Sequence, residues 1–267
     1  MRVRESSDKE KAMTTDLTGR IALVTGAAGQ GIGKAIATRL ARDGATVVVS
    51  DSHARRAHAV AEEISSLPGC SAVARVLDVG NRAQIVEVTE SVADELGPIS
   101  ILVNNAAYNV LGPIFDYDPE VWDRIMDVNL NGPWMLSRQA MRQMRDAKLP
   151  GVILNVSTYA PDVGGEGIEA PYAVSKGGLN VLTRSCAHEG GPYGIRVNTL
   201  SMGMITGTRF TDALHADMQV AERAKSPLGR LAAVDDVVEA AAFLISENAA
   251  NITGETLNVA AGTHMRY

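Results

Sequence analysis

Tyr172 and Lys176 stand four residues apart in the run Ala-Pro-Tyr-Ala-Val-Ser-Lys-Gly-Gly-Leu. On a helix this spacing puts both side chains on one face. A phenol with an ordinary pKa of about 10 is a poor base at neutral pH. A neighbouring ammonium favours the phenolate and lowers that pKa. A tyrosine tuned in this way can exchange a proton with an alcohol oxygen. The same spacing also arises by chance on a helix surface, so the surrounding chain has to decide.

Apolar runs that read as strands span 21–25, 46–50, 71–77, 99–103, 152–156 and 195–200, with 256–259 as a seventh. Between them, 33–43, 53–67, 82–96, 119–148, 172–190 and 234–246 read as helices. Strand and helix in alternation predict an α/β domain with a doubly wound parallel sheet and helices on both faces. No repeat or linker divides the chain, so 17–267 reads as one domain. Residues 1–16 are polar and mixed in charge and read as a loose arm. The stretch 203–224 follows a strand and is rich in Gly, Thr and Met. It reads as a flap over a substrate pocket, with a surface helical insertion as the alternative.

The first strand runs into Thr25-Gly26-Ala27-Ala28-Gly29-Gln30-Gly31-Ile32-Gly33, which opens the first helix. Glycines permit the sharp turn and let backbone N–H groups approach a pyrophosphate, and the helix N-terminus favours that anion. Such a turn also occurs as mere punctuation. Here an acidic residue, Asp51, ends the next strand, as a Rossmann-type dinucleotide site requires. A carboxylate there accepts hydrogen bonds from ribose hydroxyls and repels a 2′-phosphate, which favours NAD over NADP. Arg55 and Arg56, a turn into the following helix, keep NADP open. Asp78 follows the third strand, either at the adenine amino group or as a turn-forming Asp.

The chain of 267 residues carries a formal net charge of −6, which gives no reason to expect nucleic acid or an anionic membrane as partner. Its two cysteines, Cys70 and Cys186, form no disulfide framework and no zinc spacing and suit a reducing, cytoplasmic setting. The five histidines are scattered without metal spacing, so no metal is expected.

Taken together, these motifs resemble the classical short-chain dehydrogenase/reductase family from about residue 17 to about residue 262. The glycine-rich turn resembles the family's Thr-Gly-x-x-x-Gly-x-Gly with one insertion, since four residues separate Gly26 from Gly31. The cofactor contacts this implies are Gly26, Gln30, Gly31, Ile32, Gly33 and Asp51, then Asp78 and Val79 at the adenine. Asn105 and Ala106 follow, in an Asn-Asn-Ala-Ala run that resembles the family's Asn-Asn-Ala-Gly. Ala107 replaces the glycine, at little cost if its φ is negative. By the same resemblance Asn129, Ser157, Tyr172 and Lys176 form a catalytic tetrad, with Thr158 as a nearby alternative hydroxyl. Met202-Gly203 stands where the family has Pro-Gly. Thr206 and Thr208 straddle the position of a threonine that bonds the cofactor carboxamide, and Thr206 is the choice made.

The resemblance implies hydride transfer between NAD(H) and a secondary alcohol or ketone, with Tyr172 as acid/base and Lys176 lowering its pKa. It also implies a homotetramer or dimer. Tyr108, Tyr159, Met202, Met204 and Phe210 are expected around the substrate. Their mainly apolar character suits a hydrophobic or cyclic alcohol. Glu166 and Glu169 are expected to be solvated loop residues. The alternatives are an NADP-dependent 3-oxoacyl thioester reductase and a non-catalytic nucleotide-binding regulator. An intact tetrad argues against the regulator.

Overall fold

Aliphatic and β-branched runs form the strands of the computed structural model, which describes residues 15–212 and 216–265. They are β1 (Ile21–Thr25), β2 (Thr46–Asp51), β3 (Ser71–Val76), β4 (Ile99–Asn104), β5 (Gly151–Thr158), β6 (Ile195–Met202), a short β7 (Ile205–Thr206) and β8 (Ala232–Ala233), and β9 (Thr256–Val259). Seven of them form one sheet in the order β3-β2-β1-β4-β5-β6-β9, with every pairing parallel. The expected strands and their order along the chain are therefore present, and β7 and β8 pair separately as a small ribbon. The arm expected over 1–16 lies outside the described residues except for Thr15 and Asp16.

Because side chains alternate along a strand, each face of the sheet collects its own core. On one face Ala22 and Val24 pack with Ile36 and Leu40 of α1 (Ile32–Arg42), Ile64 of α2 (Ala54–Ser65) and Val237 of the last long helix. On the other face Leu23 and Val48 pack with Ile85 of α3 (Arg82–Glu95) and Leu136 and Cys186 of later helices. Each large aliphatic side chain buried in this way contributes about 1.5–3 kcal/mol.

The helix expected over 119–148 is broken. It is α4 (Pro119–Met126) and α5 (Gly132–Asp146), joined by a π-helical turn at Asp127–Asn131. The Asn129 side chain explains the widened turn: it accepts from Tyr108 N–H and donates to Tyr108 C=O, both at 2.8 Å. Pro133 then falls in the first turn of α5, where a missing N–H costs nothing. Gly132 is required there, because a Cβ would lie 2.2 Å from the Val79 carbonyl oxygen.

The remaining helices are α6 (Ala170–Gly190), α7 (Arg209–Asp212), α8 (Ala216–Lys225) and α9 (Val234–Ile245). The 203–224 stretch thus holds β7, α7 and most of α8, with residues 213–215 outside the described ones. Among the described residues no helix is long and apolar enough to cross a membrane. Strand order reverses beside β1, and a crevice at the C-terminal strand ends is where such sheets bind ligands.

Candidate active site

A cavity of about 770 Å³ opens along those strand ends. At one extreme it is lined by the turn residues Gly26, Gln30, Gly31, Ile32 and Gly33, and by Asp51. Gly26 has φ +62°, and a Cβ there would lie 2.8 Å from the Ala106 Cα, so the turn can approach the β4 loop only as glycine. Asn105 fastens the two together: its Nδ2 donates to the carbonyls of Thr25 and Gly26 at 2.9 and 3.1 Å. Gly29 and Gly31 have open space where a Cβ would sit, and both line the cavity just before α1. Ala107 has no positive φ, so the departure from glycine carries no left-handed strain.

Asp51 accepts from His53 N–H at 3.0 Å and stands 3.8 Å from Arg56, which also lines the cavity. Asp78 and Val79 line the next stretch with Asn105 and Ala106. Both Asp78 oxygens accept from Arg124 at 2.9 Å, and one accepts from Gly80 N–H at 2.9 Å. Burial opposes its charge, but these hydrogen bonds hold the carboxyl below its usual range. Asp78 therefore shapes a turn and pairs with a cation while facing the cavity. No spacing rule in the sequence points to Arg124.

At the other extreme Tyr172 lines the cavity, and its hydroxyl takes no partner among the described residues. Lys176, one turn along α6, is buried, with Nζ 2.8 Å from the Val156 carbonyl oxygen and 5.6 Å from the Tyr172 ring centre. Ser157 is buried on β5, and its Oγ has no hydrogen-bond partner among the described residues. Asn129 is buried behind Tyr108 and also donates to Ser175 Oγ at 3.1 Å. Of the four, Tyr172 is the one that lines the cavity; Lys176, Ser157 and Asn129 are buried on α6, β5 and the π-turn, while Thr158, the alternative hydroxyl next to Ser157, does line it.

The electrostatics differ from the expectation that Lys176 tunes Tyr172. Burial pushes the Tyr172 phenol above its ordinary value, and the Glu169 carboxylate adds to that. Burial pushes Lys176 down to about 8. Desolvation penalises both charged forms. The protein's own groups therefore hold Tyr172 as a protonated phenol, a proton donor.

On the substrate side Tyr108, Tyr159, Met202 and Met204 line the cavity as expected, as does Gly203. Phe210 falls in α7, but its side chain lies outside the described residues. Thr206 does not line the cavity. Its hydroxyl donates to the Ala232 carbonyl at 3.3 Å, because β7 pairs with β8, and Thr208 takes the cavity position. Burial pushes the Tyr159 phenol up to about 12, helped by Glu166, Glu222 and Glu169. Its ring stacks on His264 at 3.5 Å, and His264 bonds Glu222 of α8 at 2.8 Å.

Glu169 is not the solvated loop residue expected. It is half-buried, lines the cavity beside Tyr172, and accepts from Asn109 Nδ2 at 2.7 Å. Burial raises its carboxyl, against the Asn109 hydrogen bond. One sequence signal was available, since Glu169 precedes Tyr172 by three residues at the start of the same helix.

With this geometry established, four likenesses identify the chain. A family profile described as Enoyl-(Acyl carrier protein) reductase matches residues 26–264. A 3-oxoacyl-[acyl-carrier-protein] reductase FabG of Vibrio cholerae serotype O1 is 38% identical over 94% of this chain and 99% of that one. The (5R,7aS)-5-hydroxy-7a-methyl-1-oxo-2,3,5,6,7,7a-hexahydro-1H-indene-carboxyl-CoA reductase of Mycobacterium tuberculosis is 35% identical over 91% of this chain and 92% of its own. A solved short-chain type dehydrogenase/reductase from Mycobacterium marinum superposes with TM-score 0.86 at 30% identity, covering 94% of this chain and 98% of that one. The chain belongs to the short-chain dehydrogenase/reductase family, nicotinamide-dependent oxidoreductases acting on CH–OH groups.

Proposed function

We propose that this protein moves a hydride between NAD(H) and a hydrophobic or cyclic secondary alcohol or its ketone, with Tyr172 exchanging the substrate proton. The observation that carries the reading is one cavity lined at one end by the glycine-rich turn and Asp51 and at the other by Tyr172, whose hydroxyl takes no partner among the described residues. Its volume lies within the range of small-molecule and cofactor sites, roughly 300–1,000 Å³. The open positions at Gly29 and Gly31, beside the helix mouth, fit a pyrophosphate.

The cofactor would be held by Gly26, Gln30, Gly31, Ile32 and Gly33 at the pyrophosphate, Asp51 at the ribose, and Asp78, Val79, Asn105 and Ala106 around the adenine side. Gly203 and Thr208 would face the carboxamide. When bound, it supplies the hydride exchange with the carbinol carbon. In the reducing direction Tyr172 gives its phenolic proton to the carbonyl oxygen. Ser157 Oγ, a buried hydroxyl without a partner, donates a second hydrogen bond to that oxygen. In the oxidising direction Tyr172 must accept the alcohol proton as phenolate. That form is favoured by Lys176 and by the positive charge of the oxidised ring against the burial that opposes it. Asn129 holds the π-turn in place through its two hydrogen bonds to the Tyr108 backbone.

Asp51 favours NAD, by like-charge repulsion of a 2′-phosphate. The Asp51→Ala variant should lose NAD efficiency by about tenfold while NADP changes less, which corresponds to about 1.4 kcal/mol at the ribose. Absorbance of the reduced nicotinamide with each cofactor reads this. An unchanged ratio would contradict the assignment. A 3-oxoacyl thioester is the second reading, favoured by the likeness to a 3-oxoacyl-[acyl-carrier-protein] reductase and a carboxyl-CoA reductase. The homotetramer reading is supported by Trp134 of α5 and by Val174 and Val181 of α6, all exposed apolar side chains. Light scattering of the eluting species tests it.

A further inference from the structure

One corner of the cavity holds two acceptors that the described residues leave under-satisfied. Glu169 lines it and receives a single hydrogen bond from the described residues, Asn109 Nδ2 at 2.7 Å. The other end of that amide, Asn109 Oδ1, is buried with no partner. Tyr117 cannot supply a donor to either, because its hydroxyl donates to the Val110 carbonyl at 2.7 Å. The corner is also held in shape. Gly112 N–H bonds the Ile168 carbonyl at 2.7 Å, tying the loop after β4 to the turn that precedes α6. Buried acceptors of this kind cost free energy unless a donor meets them. Leu111, Met202 and Met204 give the wall around it an apolar part, beside the hydroxyl-bearing Thr158, Tyr159 and Thr208.

We infer that the substrate is an otherwise apolar or cyclic secondary alcohol carrying a second hydroxyl group near the carbinol carbon, and that Glu169, held by Asn109, accepts that hydroxyl's hydrogen bond. The inference rests on the proposed function and narrows its substrate class. Glu169 stands immediately before α6, three residues ahead of Tyr172, and both line the cavity. A bound hydroxyl also sets the ring's orientation, because one donor and one reacting oxygen fix two points of a small molecule. A site that hydrogen-bonds a substrate hydroxyl discriminates strongly against the analogue lacking it, since its own polar group is then left unpaired. A carboxylate substituent at this position would meet like charge.

The test compares kcat/KM for cyclohexanol, 1,2-cyclohexanediol, 2-aminocyclohexanol and the thioester 3-hydroxybutanoyl-coenzyme A. Each is run on the full chain with NAD and with NADP. The expected result is a preference of at least about tenfold for the diol over cyclohexanol. In Glu169→Gln that ratio should fall at least about fivefold, chiefly through KM. Asn109→Ala, which leaves the carboxylate in place but unheld, should lower the ratio by a smaller factor. Turnover of cyclohexanol as good as that of the diol would overturn the inference while leaving the oxidoreductase reading intact. So would a diol preference that survives both substitutions. A higher efficiency with the amino alcohol would reassign the corner to a cation. A higher efficiency with the thioester would also overturn the inference. No turnover of any member with either cofactor would overturn the proposed function and this inference with it.

Discussion

Beneath Ser157 and Tyr172 the chain is regular structure, and a line of buried amides and hydroxyls joins its parts. Asn104 Nδ2 donates to Asn155 Oδ1 at 2.8 Å, Asn155 Nδ2 to Thr183 Oγ1 at 2.8 Å, and Thr183 and Thr199 share a hydrogen bond of 2.7 Å. These residues tie β4, β5, α6 and β6 into one block under the reacting groups. The rim around Glu169 is built differently. Its backbone is loop and 3-10 turn, with Gly164, Gly165, Glu166 and Gly167 all at positive φ, and the preceding rim loop leaves Phe115 95% exposed. Proton chemistry needs groups fixed within fractions of an ångström, which strands and helices supply. Selectivity sits on loops, where side chains change without disturbing the sheet.

The largest stability effect should follow from breaking the block. Asn155→Ala removes one acceptor and one donor from buried partners and should cost about 2–4 kcal/mol, read by denaturant unfolding. On the rim, Phe115→Ala should stay within about 0.5 kcal/mol. Similar losses at the two positions would erase the contrast.

Lys176→Met gives a smaller effect of opposite sign. At pH 7 the folded chain holds a buried ammonium whose pKa has fallen to about 8 from 10.5. Removing it should stabilise the cofactor-free protein by about 1–2 kcal/mol, after the lost bond to Val156 is discounted. Between pH 8 and 10.5 the unfolded chain binds a lysine proton that the folded chain lacks, so wild-type stability rises with pH through that window. The advantage of the variant should therefore be full below pH 8 and shrink above it. Other titrating groups, Cys186 among them, are common to both proteins and cancel in the difference. An advantage independent of pH would contradict the burial of a charged Lys176.

The sheet was legible in the sequence because parallel strands buried on both faces read as continuous aliphatic runs, as 21–25 and 99–103 do. Tyr172, Lys176 and the glycine-rich turn stood out by their spacing, and one cavity is lined by both Tyr172 and the turn. The break at Asn129 was half legible. Pro133 marked the resumed helix, but the side chain's bonds to Tyr108 come from a loop 21 residues away. Thr206 and Thr208 could not be separated by spacing, since the pairing of β7 with β8 decides which one faces the cavity. The burial that pushes the Tyr172 phenol up was not legible, because a sequence displays a neighbouring charge and hides how deeply a group is buried. Glu169 was passed over for the same reason.

The account turns on Tyr172 as the proton carrier. Tyr172→Phe keeps the ring and removes only the hydroxyl. Turnover of the best secondary alcohol should fall by about 10²–10⁴-fold, while binding of NAD, followed by fluorescence titration, stays within a few-fold of wild type. Turnover within a few-fold of wild type in that variant would contradict the account.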